Sequence, residues 1–102
     1  MTTTPFAIGE MVMIRDEGLS PTVVVVALPE TPASEWLTYG GRTVAGANPD
    51  YPADAATVIV VFAADVPTYL PDWDGETPLA EATLREKGVY YKGLPAPRLR
   101  SV

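Results

Sequence analysis

The stretch that decides the fold is Thr22-Val23-Val24-Val25-Val26-Ala27-Leu28, residues 22–28. The stretch is almost entirely apolar and rich in valine, a β-branched residue that favours extended backbone. A strand that alternates apolar and polar residues buries one face, whereas a continuous apolar run buries both faces. The run therefore predicts a central strand that is covered on both sides and ends at Pro29 and Pro32.

Two other segments are predicted to pair with this strand. Residues 11–15 read as a strand, and the turn formers in 16–21 predict a hairpin that joins them to 22–28. A second strongly apolar run, Val58-Ile59-Val60-Val61-Phe62, lies within residues 57–64. We expect the two apolar runs to lie close together in the centre of one sheet.

Shorter segments give weaker patterns. Residues 34–39, 42–45 and 89–91 are candidates for short strands, and residues 46–54 are dense in turn formers that predict an ordered loop. The eleven prolines of the chain exclude long helices, because proline breaks a helix interior.

One helix is predicted, at about residues 78–87. Thr77 is placed to cap its beginning, a proline occupies its first position, and Gly88 stands where a helix commonly ends. Glu81 and Arg85 are four residues apart with the acid first, which is the favourable order for an ion pair on a helix.

These elements predict a mainly β fold of the β-rich α+β kind. Short strands, frequent turn signals and one late helix favour a small Src-homology-3-like barrel or a curled antiparallel sheet, with the short helix in the C-terminal half. An open α+β sheet with the helix across one face is the alternative. At this length we expect a single small domain over residues 1–102, with 1–5 and 94–102 as extended ends.

The chain has no histidine and no cysteine, which removes several classes of chemistry. Ser-His-Asp triads, Cys-His dyads, disulfides and ordinary zinc sites all need one of these residues. A carboxylate pair could still act as acid and base, and the residues available for it are Asp50, Asp54, Asp65, Asp72 and Asp74. The segment around Asp72 and Asp74 only partly matches a calcium loop. We expect no enzyme, no cofactor and no metal site.

The net charge of −6 is unevenly distributed. Residues 1–84 hold 12 acidic residues against two basic ones, whereas residues 85–102 hold five basic residues against one acidic. The acidic body makes nucleic acid an unlikely partner, although an accessory role in nucleic-acid binding through the basic end stays open. We expect the end to fold back as an edge strand that is held by charge, or else to serve as an extended ligand for a partner.

The sequence also bears on location. No apolar stretch approaches the ~20 residues of a membrane span, and the first residues lack the pattern of a secretion signal. We therefore expect a cytoplasmic protein.

Several short sequence segments of the chain resemble a known group of proteins. They include Asn48-Pro49-Asp50-Tyr51-Pro52-Ala53-Asp54, Pro71-Asp72-Trp73-Asp74-Gly75 and Pro95-Ala96-Pro97-Arg98-Leu99. Together they resemble short acidic proteins of haloarchaea that have no assigned function. The resemblance implies a salt-rich cytoplasm, where an acidic surface supports solubility, and it brings no catalytic residues with it.

Aromatic residues in loops and at strand ends are the remaining functional candidates. Tryptophan, tyrosine and arginine dominate the energetics of protein interfaces, and Tyr51, Trp73, Tyr91 and Arg98 are our candidates for an interaction patch. Packing against prolines to close the core is the other interpretation of such aromatics. The sequence favours a non-enzymatic interaction module with a protein partner or a second copy of itself, ahead of a small carboxylate-dependent enzyme or ligand-binding protein.

Overall fold

The computed structural model describes residues 6–15, 21–29, 31–38 and 41–101. These residues form a mainly β fold in which short helices connect the strands. The strands are β1 (Met11–Ile14), β2 (Val23–Ala27), β3 (Thr57–Phe62), β4 (Tyr91–Pro95) and β5 (Leu99–Ser101). The helices are α1 (Val44–Ala47), α2 (Val66–Tyr69) and α3 (Glu81–Lys87), with 3₁₀ turns at Ala63–Asp65 and Ala96–Arg98.

The five strands form one antiparallel sheet in the order β4-β3-β2-β1-β5. The antiparallel pairing of the predicted hairpin is confirmed, since Val12 of β1 pairs with Val23 of β2, whereas residues 16–20 of its predicted turn lie outside the described part of the chain. The predicted neighbourhood of the two apolar runs is confirmed as well, because β2 is the middle strand and its Val25 pairs with Val60 of β3.

Both faces of β2 and β3 are buried, which explains why their sequences are apolar without alternation. Val25 and Val60 point into one cluster, which Ile14 and Leu99 also join. The next residues along the two strands point into a cluster on the opposite face, which is covered by the segment after β3. The buried members of this second cluster are Val24, Val26, Ile59, Val61, Leu70, Leu84, Val89 and Tyr91. The sheet therefore lies between two apolar layers.

The connection between β4 and β5 shows that the sheet is strongly curled. These strands occupy opposite edges, yet only the turn Ala96–Arg98 separates them. Four strand spacings in a flat sheet would cover about 19 Å, whereas a chain can stretch only about 14 Å from Pro95 to Leu99. The predicted curled antiparallel sheet is confirmed, whereas the closed Src-homology-3-like barrel that was predicted beside it is not formed, because β4 and β5 are not paired in the described sheet.

The C-terminal end is part of the sheet. Leu94 belongs to β4, and β5 pairs with β1 so that Leu99 lies opposite Ile14. The predicted edge strand is thus present. Leu99 is only 2% exposed, and the Arg98 guanidinium donates to the amide oxygen of Asn48. Backbone pairing and apolar burial hold this segment, and not the attraction of its basic residues to the acidic body that the charge pattern predicts.

The predicted helix of residues 78–87 begins later than expected, at Glu81. Thr77 does not cap it, because its N–H and hydroxyl donate to the carboxylate of Asp74. The N–H of Leu79 donates to the carbonyl of Val26 at 2.8 Å, which keeps the chain extended against the end of β2. The end of the helix is as predicted, at Gly88 with a left-handed φ of 72°.

The predicted strands in 34–39 and 42–45 are corrected. Turns occupy residues 33–35, and the sheet-like contacts of this region are isolated bridges such as the one between Leu37 and Thr43. Thr43 caps the short helix α1 through its side-chain oxygen, which accepts from the N–H of Gly46 at 3.0 Å. The capping bond favours a helical turn where a strand was expected, and residues 39–40 lie outside the described part of the chain.

Candidate functional site

Trp36 is held against β4 by backbone hydrogen bonds and by contacts of its ring. Its N–H donates to the carbonyl of Pro32, and its carbonyl accepts from the N–H of Val44 at 2.9 Å. Its ring lies so close to β4 that a Cβ on Gly93 would be 2.6 Å from Cζ3. The ring also meets Tyr91 edge to face, with 6.3 Å between the centroids. Trp36 is therefore fixed in position rather than free to turn.

An apolar cavity of about 330 Å³ opens beside Trp36. We call it the Trp36 cavity. It forms where the end of β2 meets the extended chain before α3, because the bond from Leu79 to Val26 holds the two segments together. Among the described residues its walls are apolar apart from one carboxylate, and they include Leu28, Pro29, Trp36, Pro78, Leu79 and Glu81.

Glu81 belongs to a polar cluster with Tyr91 and Arg85. The Tyr91 hydroxyl donates to Glu81 Oε2 at 2.7 Å, and Arg85 Nη2 lies 3.5 Å from the same oxygen. Burial of the Tyr91 side chain, helped by the hydrogen bond to Glu81 and its negative charge, raises the pKa of this phenol to about 12. The nearby Tyr91 and Glu81 in turn raise the pKa of Arg85. The cluster keeps Glu81 anchored at the rim of the cavity.

A second cavity, of about 260 Å³, adjoins the first at Leu79. We call it the Trp73 cavity; Leu70, Asp72, Trp73, Leu79 and Lys87 are among its lining residues. Trp73 is held in place because its indole Nε1 donates to the carbonyl of Thr77 at 2.7 Å. The two cavities share Leu79 as a wall and lie along the segment before α3, and we refer to the pair as the groove.

The carboxylates that the sequence offered for acid–base chemistry or calcium are used differently. Asp74 accepts from the N–H groups of Glu76 and Thr77 and from the Thr77 hydroxyl, so its oxygens close its own turn. These hydrogen bonds, that from the Thr77 hydroxyl first, lower the pKa of Asp74. Within the described ranges, the acidic side chains form no group of three or more that could hold a metal ion.

A third cavity, of about 220 Å³, lies along β4. We call it the Lys92 cavity. Residues from four separate segments line it, including Thr38, Asn48, Tyr90, Lys92, Gly93 and Arg98. Asn48 is 4% exposed and sits between α1 and Arg98, since its Nδ2 donates to the carbonyl of Val44 at 2.8 Å and its Oδ1 accepts from Arg98.

The four residues predicted as an interaction patch do not form one exposed surface. Tyr91 is completely buried, although the residue is among those that line the Lys92 cavity with Arg98. Tyr51 is half-buried, and its N–H donates to the carbonyl of Asn48, which places it near Arg98. Trp73 lines a different cavity.

The residue that the prediction missed is Trp36. The available signal was Gly93, because a glycine within a strand often marks the close approach of another group. Trp36 is far from Gly93 in sequence, so the glycine alone does not identify which group approaches it.

Two general observations complete the description. Within the described part of the chain, no helix is both long and apolar enough to cross a bilayer. Comparison with protein-family models, with curated proteins and with solved structures finds no match to this chain. The resemblance to short acidic haloarchaeal proteins therefore stays a prediction.

Proposed function

We propose that the protein is a non-enzymatic interaction module that binds a protein partner in the groove formed by the Trp36 and Trp73 cavities. The observation that carries the proposal is the Trp36 cavity itself, an apolar concavity in which Glu81 is the only charged residue among the described lining residues. Apolar concavities with few polar groups are the usual form of a binding site.

The chemistry of the groove suits a protein ligand. Tryptophan is prominent among the residues that dominate interface energy, and both tryptophans of the chain line this groove. Pro29 and Pro78 stiffen its walls, so little conformational entropy would be lost when a partner binds. A preformed groove with aromatic anchors favours the docking of an extended peptide or a protruding loop.

The alternatives have less support from the geometry. An enzyme that relies on carboxylates would need two of them across a cleft, whereas Asp74 is engaged in its own turn. A nucleic-acid accessory role would need the basic residues on one surface. Arg85 instead contacts Glu81, Lys87 lines the Trp73 cavity, and Arg100 lies on β5 beside Met13.

The test is selection from a random-peptide display library on the immobilised protein, followed by binding measurements on two matched variants. Leu79→Asp puts a charge into the groove where the two cavities meet, and Leu37→Asp puts the same charge on an exposed leucine outside it. We expect selected peptides to lose binding to Leu79→Asp and to keep it for Leu37→Asp. Circular dichroism checks that both variants fold.

Intrinsic fluorescence gives a second readout. Because the chain has two tryptophans and both line the groove, a peptide that binds there should change the emission on titration. Failure of the library to yield any binder would count against the proposal. So would peptides whose affinity falls equally in both variants.

A further inference from the structure

The Lys92 cavity brings together the positive charges of two separate elements. Lys92 comes from β4 and Arg98 from the 3₁₀ turn that follows it, and both line the same concavity. No carboxylate is among the described residues that line it. In a chain whose net charge is −6, this is a local concentration of the opposite charge.

Both cations are placed by the fold. The Arg98 guanidinium donates to Oδ1 of the buried Asn48, and the Asn48 amide nitrogen is tied to the carbonyl of Val44 in α1. The ammonium of Lys92 lies 6.0 Å from the centre of the Phe62 ring, which stacks on Tyr90 with 5.8 Å between the centroids. Such supports distinguish a built concavity from lysines and arginines scattered on a surface.

The other residues that line the Lys92 cavity indicate what kind of group the anion is attached to. Thr38 contributes a hydroxyl, which can donate to an oxygen of a bound anion. Gly93, Leu94 and the aromatic residue Tyr90 line the cavity as well. The lining therefore combines basic residues with apolar and aromatic ones, a composition that suits an anionic group attached to a small planar body.

We propose that the Lys92 cavity binds a small organic anion, a phosphate or carboxylate group carried on a planar apolar body. Arg98 supplies the positive charge of its guanidinium, one N–H of which already donates to Asn48, and Lys92 adds a second positive charge. The site is separate from the groove proposed for a protein partner, because none of the described residues that line this cavity also lines the Trp36 or Trp73 cavity.

The experiment is an NMR titration of the full chain with phenyl phosphate, benzoate and phenol. Asn48 is the only asparagine and the chain has no glutamine, so one pair of side-chain amide signals reports directly on the cavity. We expect phenyl phosphate or benzoate at millimolar concentration to shift these signals to saturation. Phenol has the same ring without the charge and should leave them in place.

The chain offers a matched pair of variants, since Lys87 and Lys92 are its only lysines. Hydrogen bonds to charged groups are worth enough that Lys92→Met should weaken binding about tenfold or more. Lys87 lies outside the Lys92 cavity, so Lys87→Met should leave the affinity for the anions unchanged. Methionine keeps the apolar stem, so the fold is expected to tolerate both changes.

Each other outcome argues against the site. No saturable shift with either anion, equal weakening by the two lysine variants, or a response to phenol as strong as that to the anions would overturn the proposal. A shift with phenyl phosphate alone would identify phosphate as the anionic group, and a shift with benzoate alone would identify carboxylate.

Discussion

Tyr91 connects the sheet to α3 through a single hydroxyl. The residue is completely buried in β4, and its hydroxyl donates to Glu81 in the first turn of the helix. A phenol in this position must stay protonated to keep the bond. Ionisation would place a negative charge in an apolar layer beside a carboxylate, which is unfavourable on both counts.

The raised pKa of Tyr91, about 12, predicts a loss of stability at high pH. In the unfolded chain the phenol releases its proton near its ordinary pKa of 10.0, whereas the folded chain keeps the proton until about pH 12. Because the unfolded state then binds fewer protons, the free energy of unfolding should fall as the pH rises through this interval. Below pH 10 the contribution of Tyr91 should be constant.

Urea unfolding at several pH values tests this prediction with the variant Tyr91→Phe. Phenylalanine has no proton to lose, so the fall between pH 10 and 12 should become shallower. Glu81→Gln should lower the pKa of Tyr91 only in part, because burial is the larger cause of the shift. A decline of the same steepness in wild type and Tyr91→Phe would refute the assignment.

Gly93 predicts a second effect at the scale of one residue. The change Gly93→Ala would put a methyl group 2.6 Å from Cζ3 of Trp36, a distance at which the ring must move. Overpacking of this kind costs roughly 1–3 kcal/mol of unfolding free energy. Chemical denaturation should show that loss together with a changed tryptophan emission.

The background Trp36→Leu is the control for Gly93→Ala. With the smaller side chain at position 36 the added methyl group has room, so the same change should cost less. An equal loss of unfolding free energy in both backgrounds would show that Gly93 is required by the strand itself and not by the close approach of the Trp36 ring.

At the scale of elements, the sequence predicts a strand or helix best where the burial of the segment follows from its own composition. The runs that become β2 and β3 are apolar throughout, and this alone requires a strand covered on both faces. The beginning of α3 was misplaced because Thr77 has the residue type of a cap but donates to Asp74. That competition is decided by three-dimensional position, which a local pattern does not contain.

The candidate site was predictable to a smaller extent for the same reason. Trp73 and Arg98 were selected as interface residue types, and each does line a cavity. Tyr91 was selected on the same grounds and is buried. Residue type indicates what a side chain can do, whereas its surroundings depend on contacts with distant segments.

The element β5 should be insensitive to salt. Its backbone pairs with β1 and its Leu99 is buried, whereas screening by salt acts on exposed charges. We expect the amide hydrogens of β5 to exchange equally slowly at low and at high ionic strength. Faster exchange at high salt would restore the view that charge holds this segment on the acidic body.

At the scale of the whole molecule, Gly9 and Gly75 bring two distant parts of the chain into contact. A Cβ on Gly9 would lie 2.0 Å from the carbonyl oxygen of Gly75, and Gly9 has a left-handed φ of 87°. The N–H of Gly9 also donates to the carbonyl of Val25 at 2.7 Å. The segment before β1 is thus fixed between the central strand and the turn that Asp74 closes.

Alanine substitutions at Gly9 and Gly75 separate two requirements, the left-handed φ and the close approach of the two backbones. Gly75→Ala has open space around the added methyl group, so it should cost only the strain of a left-handed φ, about 1–2 kcal/mol. Gly9→Ala meets the same strain and also the Gly75 carbonyl, and should lower the free energy of unfolding considerably more. Equal losses in urea denaturation would mean that the approach of the two backbones is not required.

The turn Ala96–Arg98, which takes the chain from one sheet edge to the other, also has a kinetic consequence. β1 and β5 are neighbours in the sheet but lie near opposite ends of the described sequence, so their pairing closes the longest loop of the fold. We expect that step to come after the rate-limiting barrier, once β2, β3 and β4 have assembled. Leu99→Ala should then accelerate unfolding while leaving the refolding rate almost unchanged, a division that stopped-flow measurements can test. The stability of β5 in the sheet therefore determines the rate at which the folded protein unfolds.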